Sequence, residues 1–388
     1  MKRIILITTV CACGLLPLQA QSVDEVLQSV AQHNKSIQAQ QKNGKAEKIG
    51  IEAENGLEDP TVEYSSFFSK GVNGQSGSEL VVSQGFDFPT VYNSRNRAGH
   101  DKKEAVDYRA EALRRNVLLE AKTLCLDMIR LNRQRDLLNK RMQNADELLA
   151  LYEERLRAGD ATVIEVNKIK MERMSIQTEV LQNHTDHRTA LQSLLALNGN
   201  MPLTFEGREY PIVPSPLDFD ALCDEALGND AELKAAEADT RAAERTLTVN
   251  RQKWLPKLEI GYRRNTGEEH GFLVGGSIPL FSNRRQVKIA QAQSIGARLQ
   301  ADETRLKAEA ALHSGFNELQ QLGRAMSVYD QPLMTQTLEL LKESVKGGEL
   351  SVTDYFVEAD QIYRNLQAFM ELECQYQKVA ATLFKNRL

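Results

Sequence analysis

The feature that most limits what this 388-residue chain can fold into is an internal duplication. Shifted by 196 positions, Val23-Asp24 falls on Phe219-Asp220, His33-Asn34 on Asn229-Asp230, and Pro60 on Pro256, without a gap. Shifted by 190, Phe88-Pro89 matches Ile278-Pro279 and Asn93-Ser94-Arg95 matches Asn283-Arg284-Arg285. At 189, Ala158-Gly159-Asp160 and Glu165 match Gly347-Gly348-Glu349 and Asp354. Ordered landmarks of this kind mean that one architectural unit is built twice. Each half reads in the same order: helix, two strands, a very long helix, a turn, a helix. The division this predicts is a leader at 1–20, a first repeat at 21–201, a connector at 202–217 and a second repeat at 218–388.

Between the two prolines of each half the polarity pattern changes to a period of two, as in a strand. Val62, Tyr64 and Phe68 oppose Thr61, Glu63 and Ser65, while Leu80, Val82, Phe86 and Phe88 oppose Glu79, Ser83 and Asp87. In the second half Leu258, Ile260 and Tyr262 oppose Lys257, Glu259 and Arg263, and Phe272, Val274 and Ile278 share a face. Turn-rich links at 71–77 and 267–271 predict hairpins over about 60–89 and 256–279. Strands of about ten residues suit an oblique bilayer crossing; two hairpins packed on a soluble core have the same pattern. No segment beyond the first twenty residues reaches ~18 consecutive apolar residues, which excludes a transmembrane helix there. A mean hydropathy of −0.42 does not exclude a barrel, because barrel strands alternate in polarity.

From Gly99 to Gly199 there is no proline and one internal glycine, Gly159. This predicts helices of up to ~60 and ~38 residues, the longer spanning roughly 90 Å at ~1.5 Å per residue. Its apolar seam runs Leu113, Val117, Ala121, Leu124, Met128, Leu131, Leu138, Met142, Ala145, Leu149, Tyr152, Leu156, in steps of three and four interrupted only by Arg135, which signals coiled-coil packing. The C-terminal helix repeats the pattern with Val352, Phe356, Ala359, Tyr363, Leu366 and Met370. Pro332 is expected to kink the long helix that follows Asn283. Gly159 and Gly348 read as the tips of two helical hairpins, with Thr162 and Ser351 capping the helices that follow. Pro202, Pro211 and Pro214 predict a short strand-containing connector between the halves.

The first twenty residues read as a secretory signal: Lys2 and Arg3, an apolar stretch from Ile4 to Leu18, and a small-residue cleavage site at Leu18-Gln19-Ala20. Lipid attachment at Cys13, within Val10-Cys11-Ala12-Cys13, is the alternative processing route. Cleavage after Ala20 takes the formal net charge from −5 to −7, which argues against a nucleic-acid partner. It also leaves Cys125, Cys223 and Cys374, an odd number that cannot complete an intrachain disulfide framework. Cys125 and Cys374 fall inside helical apolar patterns and are expected to be buried, inert thiols. His184 and His187 form an i, i+3 pair without a third ligand, so no metal site is expected there. There is no nucleophile–base pairing, phosphate loop or cofactor motif, and no enzyme is expected.

A secretory leader, a duplicated helix–hairpin–long-helix–helix unit, and a glycine tip followed six residues later by a carboxylate together resemble the TolC-type outer membrane efflux factors. The segments that carry the resemblance are Leu57-Glu58-Asp59-Pro60, Val82-Ser83-Gln84-Gly85-Phe86, Arg155-Leu156-Arg157-Ala158-Gly159 with Glu165-Val166-Asn167, and Gly275 to Phe281 with Ile278-Pro279-Leu280-Phe281. The resemblance implies a mainly α fold with a small β portion. Three copies would give four strands each to one twelve-stranded outer membrane barrel, which continues into a periplasmic α-helical barrel. It further implies an outer membrane exit channel in a tripartite system, with a periplasmic adaptor (membrane fusion protein), an inner-membrane pump of the RND type, and no cofactor. The Leu-Glu-Asp-Pro and Ser-Gln-Gly-Phe-Asp-Phe stretches are most similar to the heavy-metal branch. A type I secretion exit channel and a soluble periplasmic coiled-coil adaptor stand as alternatives.

By the same resemblance Glu165 and Asp354 line the periplasmic pore aperture. The family's second acidic member after Asp354 is replaced by Val357, with Glu358 beside it. Each of the two matched acids also suits the first turn of a helix, where the dipole favours negative charge. Arg155, Arg157, Gly159, Lys346, Gly347 and Gly348 surround the tips and are the implied adaptor contacts. The family's tyrosine and arginine latch at the second tip is absent, with Val345 and Leu350 in those places.

Overall fold

The computed structural model describes residues 22–388 apart from 72, 215–217, 268 and 280–282. The expected leader, with Cys13, and Leu280-Phe281 lie outside the described residues. The first half contains α1 (Val23–His33), α2 (Lys35–Ala53), β1 (Thr61–Phe67), β2 (Gly77–Phe86), α3 (Pro89–Ala158) and α4 (Val163–Leu197). The second contains α5 (Phe219–Asn229), α6 (Ala231–Gln252), β3 (Lys257–Asn265), β4 (His270–Ser277), α7 (Asn283–Met326), α8 (Gln331–Gly347) and α9 (Val352–Leu383). The matched pairs His33-Asn34 and Asn229-Asp230 both mark a break between helices. Asn34 Oδ1 accepts from the Ile37 N–H, and Asp230 Oδ1 from Glu232 and Leu233, so each residue restarts a helix as its N-cap.

The structure corrects three sequence expectations. α3 begins at Pro89 and runs for 70 residues, ten residues ahead of the expected start at Gly99. Proline is tolerated in a first turn because its missing N–H has no intrahelical partner there. Gly99 stays helical, and a Cβ at that position would lie 3.2 Å from Ile51 Cγ2 on α2. Pro332 does not kink a continuous helix: α7 ends at Met326 and α8 starts afresh, with Asp330 Oδ1 accepting from the Leu333 N–H at 2.9 Å. The connector, finally, forms no strand among its described residues. It is fastened to α3 by side chains instead. Asn132 Nδ2 donates to the Gly207 carbonyl at 3.0 Å, Arg208 pairs with Asp136 at 2.7 Å, and Phe205 is buried.

The chain forms two compact units, each drawing on both repeats. One comprises α1 with Ala121–Pro211 and Tyr329–Cys374. Its core joins Leu148 and Tyr152 of α3, Val166 and Ile169 of α4, Val345 of α8, and Val352, Tyr355, Phe356 and Tyr363 of α9. α3 buries more here than the predicted seam. Cys125, Leu126, Ile129 and Leu148 are fully covered as well, because α4 and α9 both pack on it. Cys125 and Cys374 are free and buried, and burial pushes the Cys125 thiol up to about 12.

The other unit comprises Asn34–Glu120, Ile212–Val328 and Gln375–Leu388. It contains an antiparallel sheet in the order β1-β2-β3-β4. The β2–β3 pairing joins the two repeats, with Val82 opposite Tyr262 and Phe86 opposite Leu258. Register places Val62, Tyr64, Leu80, Val82, Leu258, Ile260, Tyr262, Phe272 and Val274 on one face. That face is bare: Phe272 is 88% and Val274 81% exposed, and the other seven are exposed too. The outer edges of β1 and β4 have no partner strand among the described residues.

Candidate functional site

The two tips are built alike. At the first, Gly159 takes φ +88°, the Asp160 N–H reaches back to the Arg155 carbonyl at 2.8 Å, and the Gly159 N–H to Leu156 at 3.2 Å. At the second, Gly348 takes φ +78°, with Glu349 N–H to Ser344 at 3.0 Å and Gly348 N–H to Val345 at 3.3 Å. This bond pattern closes a helix through a left-handed residue, and that backbone favours glycine at both positions.

The matched acids sit one turn beyond the tips. Glu165 closes a capping box: Thr162 donates its N–H (2.7 Å) and its hydroxyl (2.8 Å) to Glu165 Oε2, while the Glu165 N–H donates to Thr162 Oγ1. These bonds, the backbone one first, hold the Glu165 carboxyl below its usual range. Ser351 donates to Asp354 Oδ2 at 2.6 Å, and the Asp354 N–H donates to Ser351 Oγ. Asp354 and Glu358 are exposed and Glu165 is half-buried. Each capping carboxylate is thus anchored through one oxygen, and its position relative to its tip is fixed by the same local rule in both repeats.

The tips are also tied to each other. The Arg155 guanidinium donates to the Lys346 carbonyl and lies over the Tyr152 ring, 5.1 Å from its centroid. Tyr152 Oη is 3.5 Å from the Val345 carbonyl, and Lys342 pairs with Glu147 at 2.9 Å. Lys346 faces Glu147 and Glu343 at 3.4 and 3.6 Å, so Arg155 and Lys346 are both engaged within the chain. Arg157 is exposed and bonds only the Glu153 carbonyl of its own helix. Replacing Arg155 by alanine removes a charged donor from a partly buried helix end, a loss of about 1.5–3 kcal/mol. Amide exchange at 345–349 is expected to accelerate at least tenfold while the sheet is unaffected; unchanged exchange there would contradict the tie.

Further along the same helices Arg141 is 9% exposed and faces three carboxylates: Glu172 at 2.5 Å, Glu179 at 3.0 Å and Asp360 at 3.3 Å. Its guanidinium also lies over the Tyr363 ring, 5.1 Å from the centroid. Burial alone lowers its pKa, but the hydrogen bond to Glu172 and the charges of Glu179, Glu172 and Asp360 outweigh it and leave the group above its ordinary value. Neither this cluster nor the tie between tips was found from sequence, because each joins residues far apart in the chain. The clue was Arg141 itself, a charged residue flanked by the seam positions Leu138, Met142 and Ala145.

His187 is half-buried, and burial and then Arg135 lower its pKa, which favours the neutral ring. Among the described residues one grouping has donors close enough for a metal: His100, Asp101 and Glu104. Arg245 Nε lies 2.7 Å from Asp101, and Arg241 lies 2.8 Å from Glu104. Two guanidiniums therefore balance the two carboxylates, and the grouping is an ion-pair cluster rather than a cation site.

The comparisons with known proteins agree with this geometry. A family model described as outer membrane efflux protein matches residues 222–385. The nickel-cobalt-cadmium resistance protein NccC of Alcaligenes xylosoxydans xylosoxydans is 23% identical over 263 residues, which are 65% of this chain and 58% of that protein. The match thus spans just over half the length of that relative. The nickel and cobalt resistance protein CnrC of Cupriavidus metallidurans is 32% identical over 100 residues, 24% of each chain. In fold, the outer membrane protein VceC of Vibrio cholerae superposes with a TM-score of 0.76 at 17% identity, covering 94% of this chain and 95% of that one.

Proposed function

We propose that the chain is a TolC-type outer membrane efflux factor, as the family model matched over residues 222–385 supports, and that it is the outer membrane exit duct of a tripartite efflux system. Substrate enters from an inner-membrane pump of the RND type through a periplasmic adaptor. The duct itself performs no covalent chemistry. The observation that carries this reading is the sheet, which exposes a four-strand-wide apolar face and leaves two edges unpaired. In water such a face is a large unsatisfied patch; in lipid it is the expected outer wall of a barrel. The edges cannot stay open in lipid, where each unpaired backbone group costs several kcal/mol. Four strands are too few to close, and three copies supply twelve. Exposed apolar residues at heptad spacing, Ile164, Met171, Met174 and Leu181 on α4 and Leu333 and Leu340 on α8, support packing against a second copy.

In the homotrimer Glu165 and Asp354 bring six carboxylates to the aperture, with Glu358 beside them, and such a ring favours cations. Two relatives are named for nickel and cobalt resistance, and divalent transition-metal cations are the cargo this reading favours. Arg157, Gly159, Gly347 and Gly348, with the backbone around Arg155 and Lys346, form the surface offered to the adaptor. The two repeats at 21–201 and 218–388, joined by 202–217, are the units from which this duct was duplicated. Planar-bilayer recording tests the aperture. Glu165→Gln combined with Asp354→Asn is expected to lower the cation-to-anion permeability ratio several-fold at unchanged open-channel frequency; an unaltered ratio removes both residues from the pore.

A further inference from the structure

Described residues from all four helix–strand junctions, Glu58, Phe88, Leu255 and Pro279 among them, line one cavity of about 730 Å³, within the range of small-molecule sites. Most of the charge on its walls is already paired: Arg95 with Asp87 at 2.6 Å, Lys102 with Glu54 at 2.7 Å, and Lys257 with Glu58. Two of the remaining donors matter most. Asn283, the first residue of α7, is 4% exposed and lines the cavity, and its Nδ2 has no hydrogen-bond partner among the described residues. A buried amide donor in that state has lost its hydration without compensation, so the residue is poised for an acceptor that enters the cavity. Its repeat mate, Asn93, is exposed and carries no such debt. Lys253 lines the wall as well, with no carboxylate partner among the described residues. The start of α7 adds the positive end of a helix dipole at the same place.

The remaining wall is apolar, from Leu57, Phe88, Val91 and Leu255. Beside it stands Trp254, the only tryptophan of the chain, half exposed; such rings gather at membrane–water boundaries. Leu258 and Phe86, paired across β2 and β3, begin the bare apolar face at this end of the sheet. An acceptor oxygen for Asn283 and Lys253, an apolar wall, and a position at the foot of the lipid-facing sheet together define one class of occupant. We propose that the cavity binds the head of a phospholipid, its phosphate on Asn283 Nδ2 and Lys253, with the acyl chains leaving along the apolar face. The proposal rests on the sheet being embedded in the outer membrane.

The test is native mass spectrometry of the full-length protein purified in detergent and titrated with phosphatidylethanolamine, with phosphoethanolamine lacking acyl chains as the second probe. One lipid per protomer is expected to survive detergent removal. Asn283→Asp, which exchanges the donor for a negative charge at a helix N-terminus, and the exposed substitution Lys253→Glu should each weaken retention at least tenfold without changing membrane insertion. Equal retention by the wild type and both variants, or equal binding of the head without chains, overturns the site and leaves the membrane reading intact. A protein that takes up no lipid and stays in the soluble fraction overturns both.

Discussion

Exchanging Arg141 for leucine is expected to destabilise the helical unit that contains the tips by about 3–5 kcal/mol, the usual effect of stripping the partner from a buried ion cluster. Glu172 is 16% exposed and Asp360 37%, so neither regains full hydration when the guanidinium is lost. Arg141→Lys should fall between, because an ammonium supplies one point charge where the planar fork meets Glu172 and Glu179 from different nitrogens. The readout is amide exchange across α4 and α9 together with the thermal midpoint of the detergent-solubilised protein. Combining Arg141→Leu with Glu172→Leu, Glu179→Leu and Asp360→Leu should recover most of the loss, since a cluster removed whole leaves no charge stranded. Failure of that recovery would mean that the arginine acts through packing on Tyr363 and not through its charge.

The second large effect concerns the sheet. Val82 lies on β2 between Val62 of β1 and Tyr262 of β3, near the middle of the bare apolar face. In lipid an arginine at such a position costs about 2–4 kcal/mol near the bilayer midplane. Val82→Arg is therefore expected to deplete the outer membrane fraction on a density gradient. Glu63→Lys, a positive charge on the opposite face of β1, should leave it unchanged. If both variants fractionate alike, the apolar face does not meet lipid. The soluble-adaptor alternative predicts that result, since an arginine on an exposed face in water costs little.

Much of this molecule is legible in its sequence, for identifiable reasons. The duplication survives as matched prolines, glycines and caps because those residues are imposed by local backbone geometry. That is why Gly159 and Gly348 could be read as tips and Thr162 and Ser351 as caps. Strand faces follow from period-two alternation, so Val62, Val82, Tyr262 and Phe272 could be put on apolar faces before any pairing was known. What escaped depends on neighbours distant in the chain. The bond from Arg155 to the Lys346 carbonyl and the Arg141 cluster need helices from both repeats to meet. The second buried face of α3, through Leu126, Ile129 and Leu148, lies off the seam that the three-and-four spacing marks. Pro332 was read by its power to disrupt a helix, whereas a proline in the first turn is a normal way to begin one.

The central claim is that β1 and β4, unpaired in one copy, pair with the strands of neighbouring copies to close a barrel. Disulfide trapping in intact cells addresses it. With Cys223 replaced by serine, and Cys125 and Cys374 left in place because they are buried, single cysteines are scanned along 61–67 against partners along 270–277. The account predicts a register of cysteine pairs that cross-links protomers into dimers and trimers, with nothing larger. A chain that stays monomeric at every register, or that cross-links into open-ended ladders, would contradict it.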